Sequence, residues 1–384
     1  MSLEPTSHWI DTPEELDTVC SRLADAEWLA VDTEFFRETS FHPVPALVQL
    51  SRGDVAYLID PQAVAATPAL QRLLGPEGPT KLLHASSEDL EVLHNWSGVV
   101  LEPLVDTQVA QALISEIPSM GYQRLVEHWT GDVLPKDETR SDWLARPLSE
   151  AQQRYAALDV IYLPRVWAAQ REALLADARL AWLEADCAAL VDQALRSAQG
   201  DAEWYRRHRQ LWRLGARAIA AYQRLTAWRE AEVRRRDLPR NWLVSDKVLF
   251  AIAESMPGSR YELAAVEGVK PSLVKREGDS LLGLVRDAAQ LDEAELPPAL
   301  PSPLSAPFKR RLKALKRAVG AIAEDLGIAP EVLARRRDLE ALVVADLEGQ
   351  PLPLPEGWRG ELLGDALVAA LESAADTAQN PVNE

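Results

Sequence analysis

Cysteine is almost missing from this 384-residue chain: only Cys20 and Cys187 occur, far apart and without ligand-like spacing. That excludes a disulfide framework or a cysteine-built zinc site as the organising device, and a reducing compartment is expected. Long apolar runs are also lacking, and none approaches the roughly 18 residues of a membrane span. Residues 1–10 contain neither the basic nor the apolar segment of a secretory leader, so a soluble, cytoplasmic protein with no membrane partner is expected. Positive charge is in deficit, with 41 Lys and Arg against 59 Asp and Glu, a net −18. Such a balance speaks against a nucleic-acid partner, because phosphates call for clustered cations. What the chain does have is length for two or three domains of roughly 150 residues each, and 47% apolar residues to fill their cores.

Pattern divides the chain into regions. Up to about residue 200, short apolar runs at 28–35, 46–50, 56–59 and 81–85 read as strands bounded by Asp, Gly and Pro. Helical periodicity covers 13–24, 88–96, 121–129 and 150–174, so an α/β domain with a mixed sheet covered by helices is expected over 1–200. From 204 onward strand signals vanish. Two all-helical pieces, 204–295 and 308–373, flank a stiff linker at 296–307 carrying Pro297, Pro298, Pro301, Pro303 and Pro307. Each piece shows a long basic helix, a break at a proline (Pro239, Pro330) and an apolar helix (248–252, 339–343), which suggests two modules of one type. The polar tail 374–384 reads as disordered.

Three segments carry candidate chemistry. In Val31-Asp32-Thr33-Glu34, strand alternation puts Asp32 and Glu34 on one face of an otherwise apolar strand. Two like charges there repel, and a divalent cation between them removes the penalty. A strand end whose acids face water accounts for the pair equally well. In Leu82-Leu83-His84-Ala85-Ser86-Ser87-Glu88-Asp89-Leu90, a strand leads into a helix that Ser86 or Ser87 can cap. Asp89 falls in its first turn, where an acid is often only a partner of the helix dipole. Ser149 and Gln152 form a capping-box pattern, so Tyr155 and Asp159 are i and i+4 neighbours on one helix face. That tyrosine can be the structural partner of a buried Asp. Taken together, four acids from a strand and two helices are what two hard cations need in phosphodiester hydrolysis. A tyrosine one turn from a ligand can orient the attacking water and help deprotonate it.

Asp32-Thr33-Glu34, Asp89 and Tyr155-x-x-x-Asp159 resemble the three motifs of the DEDD exonuclease superfamily in its tyrosine-bearing subclass. His84-Ala85-Ser86-Ser87-Glu88-Asp89 and Arg140-Ser141-Asp142-Trp143-Leu144-Ala145-Arg146-Pro147-Leu148 are similar specifically to the ribonuclease D family. In that family the two helical pieces are helicase-and-RNase-D C-terminal (HRDC) modules. The resemblance implies an RNase H-like fold and removal of 5′-mononucleotides from an RNA 3′ end, such as that of a tRNA precursor; a monomer is expected. It further implies two divalent ions, Mg2+ or Mn2+, on Asp32, Glu34, Asp89 and Asp159, with Tyr155 positioning the nucleophilic water. Pro43-Val44-Pro45 is richer in proline than the family pattern, and the second helical piece fits its module loosely. The same chemistry suits a single-strand DNA exonuclease, and the fold alone suits a catalytically silent RNA-binding scaffold; the presence of all five catalytic-type residues argues against the scaffold.

The charge deficit is uneven. From 201 to 250 there are 12 basic and 6 acidic residues, a net +6, leaving −24 for the remainder. Arg206, Arg207, Arg209, Arg234, Arg235 and Arg236 are candidate RNA contacts there, interleaved with Trp204, Tyr205, Trp212, Tyr222, Trp228 and Trp242. A helix face packed on core tryptophans explains the aromatics better than base stacking does. The second basic run, 309–317, reads as a solvated helix face.

Overall fold

The computed structural model describes residues 4–135, 141–200 and 204–376. The first unit comprises β1 (Thr6–Ile10), α1 (Pro13–Leu23), β2 (Trp28–Phe36), β3 (Val44–Ser51), β4 (Val55–Ile59), α2 (Pro68–Leu74), β5 (Thr80–Leu83), α3 (Ser87–Ser97), β6 (Leu104–Asp106), α4 (Thr107–Ala112), α5 (Tyr122–Thr130), α6 (Glu150–Ile161), α7 (Leu163–Ala176) and α8 (Leu180–Gln199). One six-stranded sheet runs β1-β4-β3-β2-β5-β6. Strands β2, β3 and β4 pair antiparallel, while β1–β4, β2–β5 and β5–β6 are parallel. Over 29–31 of β2 and 46–50 of β3 successive residues are all buried, as strands covered by helices on both faces require.

Several boundaries differ from the sequence reading. The helix expected at 150–174 is two helices, because Pro164 lacks the N–H to continue α6 and instead sits in the first turn of α7. The strand expected at 81–85 stops at Leu83, and Ala85 turns away with φ +58°. Strands β1 and β6 carry no legible sequence signal: β6 has only three residues, too few to show a period.

The second unit contains α9 (Ala216–Arg236), α10 (Arg240–Leu243), α11 (Asp246–Ser255), α12 (Arg260–Ala265) and α13 (Pro271–Ala289). The third contains α14 (Ala306–Leu326), α15 (Pro330–Leu333), α16 (Arg336–Glu348) and α17 (Gly357–Asp376). The series α9–α10–α11 and α14–α15–α16 have the same make-up, a 21-residue helix, a four-residue helix at a proline and an apolar helix. Pro307 belongs to the first turn of α14, which Ser305 caps, rather than to the linker. Helix α17 continues to Asp376, past the expected end at 373; the rest of the tail expected to be disordered, 377–384, lies outside the described residues, as does Arg140. Nor is the 309–317 run simply solvated, since Arg311 pairs with Asp346 and Arg310 Nε donates to the Ala374 carbonyl at 2.9 Å.

Both helical units dock on the first. After β2 the chain pushes Phe41 into the core of the second unit, where it is 4% exposed among Tyr205, Leu214 and Val244. Asp237, in a left-handed turn that ends α9, accepts hydrogen bonds from the Phe41 and His42 N–H groups, both at 2.9 Å. The third unit meets α8, where the Trp182 and Trp358 rings stack at 4.4 Å and Arg359 grips Asp186 through two hydrogen bonds of 2.5 and 2.8 Å.

Candidate active site

Strand β2 presents Asp32 and Glu34 on one face, and a register shift immediately after Glu34 bends the strand beside them. Helix α6 covers that face. Its start is fixed by a complete capping box: Gln152 N–H to Ser149 Oγ at 3.1 Å, and Ser149 N–H to Gln152 Oε1 at 3.0 Å. The preceding loop is pinned to the sheet by Arg146, which holds both Asp60 oxygens (2.8 and 2.6 Å) and the Ala46 carbonyl (2.6 Å). Asp159 therefore arrives over β2, and carboxylate oxygens of Asp32, Glu34 and Asp159 lie within 4.8 Å of one another.

Asp89 comes from the other side. It sits in the first turn of α3 and is 8% exposed, and its Oδ1 accepts a 2.5 Å hydrogen bond from Thr33 Oγ1. The sequence reading gave the cap of α3 to a serine hydroxyl, but neither supplies it. Ser86 Oγ donates instead to Asp106, the last residue of β6, at 2.9 Å. Asp106 also accepts the N–H groups of Ala85 (3.1 Å) and Ser86 (2.8 Å), and it caps α4 through Gln108 (2.8 Å) and Val109 (3.3 Å). One buried carboxylate thus holds the left-handed turn from which Asp89 projects. Arg37 adds a clamp, binding Glu91 of α3 at 2.7 and 2.9 Å from the end of β2.

All four acids and Tyr155 line one cavity of about 660 Å3, together with His84 and Tyr122. Crowding shows in their proton affinities. Burial, then the Asp89, Asp159 and Glu34 charges, pushes Asp32 well above the usual carboxylate range. Burial and the Asp159 and Asp89 charges raise Glu34 to about 9. Burial raises Asp159 to about 7 and Asp89 to about 6. Burial and the Asp159, Glu34 and Asp32 charges hold Tyr155 as a phenol, above its ordinary value. Gln49, opposite Asp32 in the β2–β3 register, is wholly buried with neither amide atom hydrogen-bonded. An all-oxygen donor set of mutually repelling acids, beside an unsatisfied amide, fits hard divalent cations. Thr33, Gln49 and Asp106 were not singled out from sequence. Only Asp106 left a signal there, as an Asp directly before a helix.

The six candidate arginines of the second unit do not share one surface role. Arg234 lies against the Phe41 ring at 4.7 Å and donates to the Ser197 carbonyl at 2.6 Å. Arg236 pairs with Glu232 and Glu277, and Arg235 with Glu232. Arg206 stands over Tyr205 and Arg207 over Trp204. Arg207 and Arg209 line a 500 Å3 cavity with Lys247 and His208. Of the aromatics, Tyr205 and Tyr222 are core, whereas Trp242 is 59% exposed.

A mixed sheet that brings four carboxylates and a tyrosine into one cleft, followed by helical modules, defines a metal-dependent exonuclease of the DEDD type. Residues 7–174 match the 3′-5′ exonuclease family, 219–285 the HRDC domain, and 307–367 the ribonuclease D C-terminal HRDC domain. The chain is 41% identical to ribonuclease D of Pseudomonas paraeruginosa over 373 residues, covering 96% of this chain and 99% of that one. It is 36% identical to ribonuclease D of Escherichia coli, covering 93% and 96%. The crystal structure of Escherichia coli RNase D, an exoribonuclease involved in structured RNA processing, superposes with a TM-score of 0.85 over 96% of this chain and 99% of that chain at 34% identity. The chain belongs to the ribonuclease D family of hydrolytic 3′→5′ exoribonucleases.

Proposed function

We propose that Asp32, Glu34, Asp89 and Asp159 hold two divalent cations, Mg2+ or Mn2+, and that Tyr155 orients the water that attacks the terminal phosphodiester. The observation that carries this is the meeting of carboxylate oxygens from β2 and α6 within 4.8 Å, with Asp89 and Tyr155 in the same cavity. When bound, the cations supply Lewis acidity and offset the charge that develops on the attacking and leaving oxygens. The chain's own residues do the rest. Tyr155, kept a phenol in the metal-free protein, acts as a hydrogen-bond donor that fixes the water rather than as the base that deprotonates it. Thr33 and Asp106 hold Asp89 in place, and Arg146 holds α6.

The substrate is an RNA with a free 3′ end, and tRNA precursors are the class we assign to it. The protein acts as a monomer in the cytoplasm; among the described residues no helix is long and apolar enough to cross a membrane. We divide the chain into an exonuclease unit to residue 200 and two HRDC units, 204–295 and 306–376, with 296–305 between them. Arg207, Arg209 and Lys247, around the cavity that Trp204 and His208 help to line, are the RNA contacts of the first HRDC unit. Digestion of RNA labelled at either end, with and without chelator, tests direction and metal need together: mononucleotides should leave the 3′ end only in the presence of metal. Asp32→Asn should abolish this activity, and retained cleavage would place the site elsewhere. Tyr155→Phe should lower kcat by roughly 10²-fold while RNA affinity persists; an unchanged kcat would make the tyrosine purely structural.

A further inference from the structure

Helix α5 separates two cavities, and Arg124 lines both. One is the 660 Å3 catalytic cavity; the other, of about 450 Å3, is walled by α4, α5 and the end of α7, with Gln111, Ser115, Ile117, His128 and Trp129 around it. No other described residue lines both. Arg124 is exposed, and among the described residues its guanidinium has neither an ion-pair nor a hydrogen-bond partner.

Charge makes that position unusual. Among the described residues the catalytic cavity is lined by six carboxylates, Asp32, Glu34, Glu88, Asp89, Glu127 and Asp159, and by one Lys or Arg, Arg124. Cations held by the inner four acids can balance the scissile phosphate. Beyond those four acids the exposed charged residues lining the cavity are Glu88, Glu127 and Arg124 among the described residues, and of these only Arg124 can bind a phosphate. The second cavity is suited to a base rather than a phosphate. Its Trp129 indole N–H is donated to Gln111 Oε1 at 2.7 Å, and the half-buried ring, with His128 edge-on to it at 5.0 Å, forms part of the cavity wall. Single-stranded RNA is held by this pairing of a cation for the backbone with an aromatic for the base.

A larger groove of about 960 Å3, beneath the third unit, also opens toward the catalytic cavity at Ala85. Two of its arginines are paired, Arg359 with Asp186 and Arg337 with Asp338 at 3.4 Å, while Arg335 caps α16 only through its backbone N–H, donated to Asp338 Oδ2 at 3.1 Å. Arg335 lines that groove but not the catalytic cavity, whereas the unpaired guanidinium on α5 lines the catalytic cavity itself and is better placed for a phosphodiester leaving it.

We propose that RNA leaves the catalytic cavity across α5, with Arg124 holding the first phosphate upstream of the scissile one and the 450 Å3 cavity receiving the base beyond it. This rests on the catalytic reading above and adds the direction and the determinant of upstream binding. The test compares a diribonucleoside monophosphate, whose only phosphate is the scissile one, with a heptaribonucleotide, on the full chain in Mg2+ or Mn2+. Arg124→Gln should raise KM for the heptamer by about tenfold, from the loss of one charge-assisted hydrogen bond. The fall in kcat/KM should be several times smaller on the dinucleotide. Arg124→Lys should restore part of the heptamer loss, and the slope of log KM against log salt should shrink by about 0.7 in Arg124→Gln. In the parent, an abasic nucleotide at the position whose base enters the cavity should raise KM. An unchanged heptamer KM overturns the proposal, as does an equal loss on both substrates, and an abasic substitution without effect overturns the base site. Asp32→Asn is run in parallel on the dinucleotide: activity there would condemn the catalytic reading itself, whatever Arg124→Gln does.

Discussion

Four carboxylates forced together in one cleft bind protons that they would release in water. In the metal-free protein Asp89, Asp159 and Glu34 stand at about 6, 7 and 9, against ordinary values of 3.8, 3.8 and 4.5. Their folded-state affinity for protons exceeds that of the unfolded chain. The stability they contribute is therefore complete below about pH 4 and is lost as pH rises through roughly 6 to 9. Divalent cations replace those protons. The melting temperature of the metal-free protein should thus fall between about pH 5 and pH 8.5, and the increase produced by Mg2+ should widen over the same range. Thermal melts at several pH values, with and without metal, check this. A metal effect independent of pH would mean that the acids do not share a site.

At the scale of elements, the placement of Asp89 depends on a residue 17 positions later in the chain. Asp106 accepts five hydrogen bonds and joins the end of β6, the start of α4 and the turn into α3. Asp106→Asn puts an NH2 group where N–H donors converge. It should raise the metal concentration for half-maximal activity by about 10- to 100-fold, as loss of a ligand's supporting partner does. KM for RNA at saturating metal should stay near the parent value, and an unchanged metal titration would refute the link. Elements also mark what can be read from sequence. Asp32 with Glu34 and Tyr155 with Asp159 are legible because strand and helix periods fix which residues share a face. Their meeting is not, since nothing local states that α6 crosses β2. Thr33 and Gln49 gain their roles only from the neighbours that tertiary packing supplies. The reading of 150–174 as one helix ran through Pro164, because apolar residues recur on both sides of it and nothing local shows whether a proline kinks a helix or starts a new one.

At the scale of the whole molecule, the loop that leaves the catalytic strand is also the hinge pin of the first HRDC unit. Phe41→Ala removes a buried ring worth on the order of 3 kcal/mol, together with the surface against which Arg234 and Arg240 lie. That unit should then swing away, which small-angle scattering would show as a larger radius of gyration, while the dinucleotide is still cleaved. An unchanged radius would mean that Ser197 and Asp237 suffice to hold it. The other HRDC unit differs. Through Trp182 and Trp358 its core is continuous with that of the exonuclease unit, whereas the intervening unit keeps a separate core. Order along the chain is therefore not order of cooperativity. On heating, the exonuclease unit and the C-terminal unit should melt as one body and the unit between them as another, so that calorimetry would resolve two transitions from three modules.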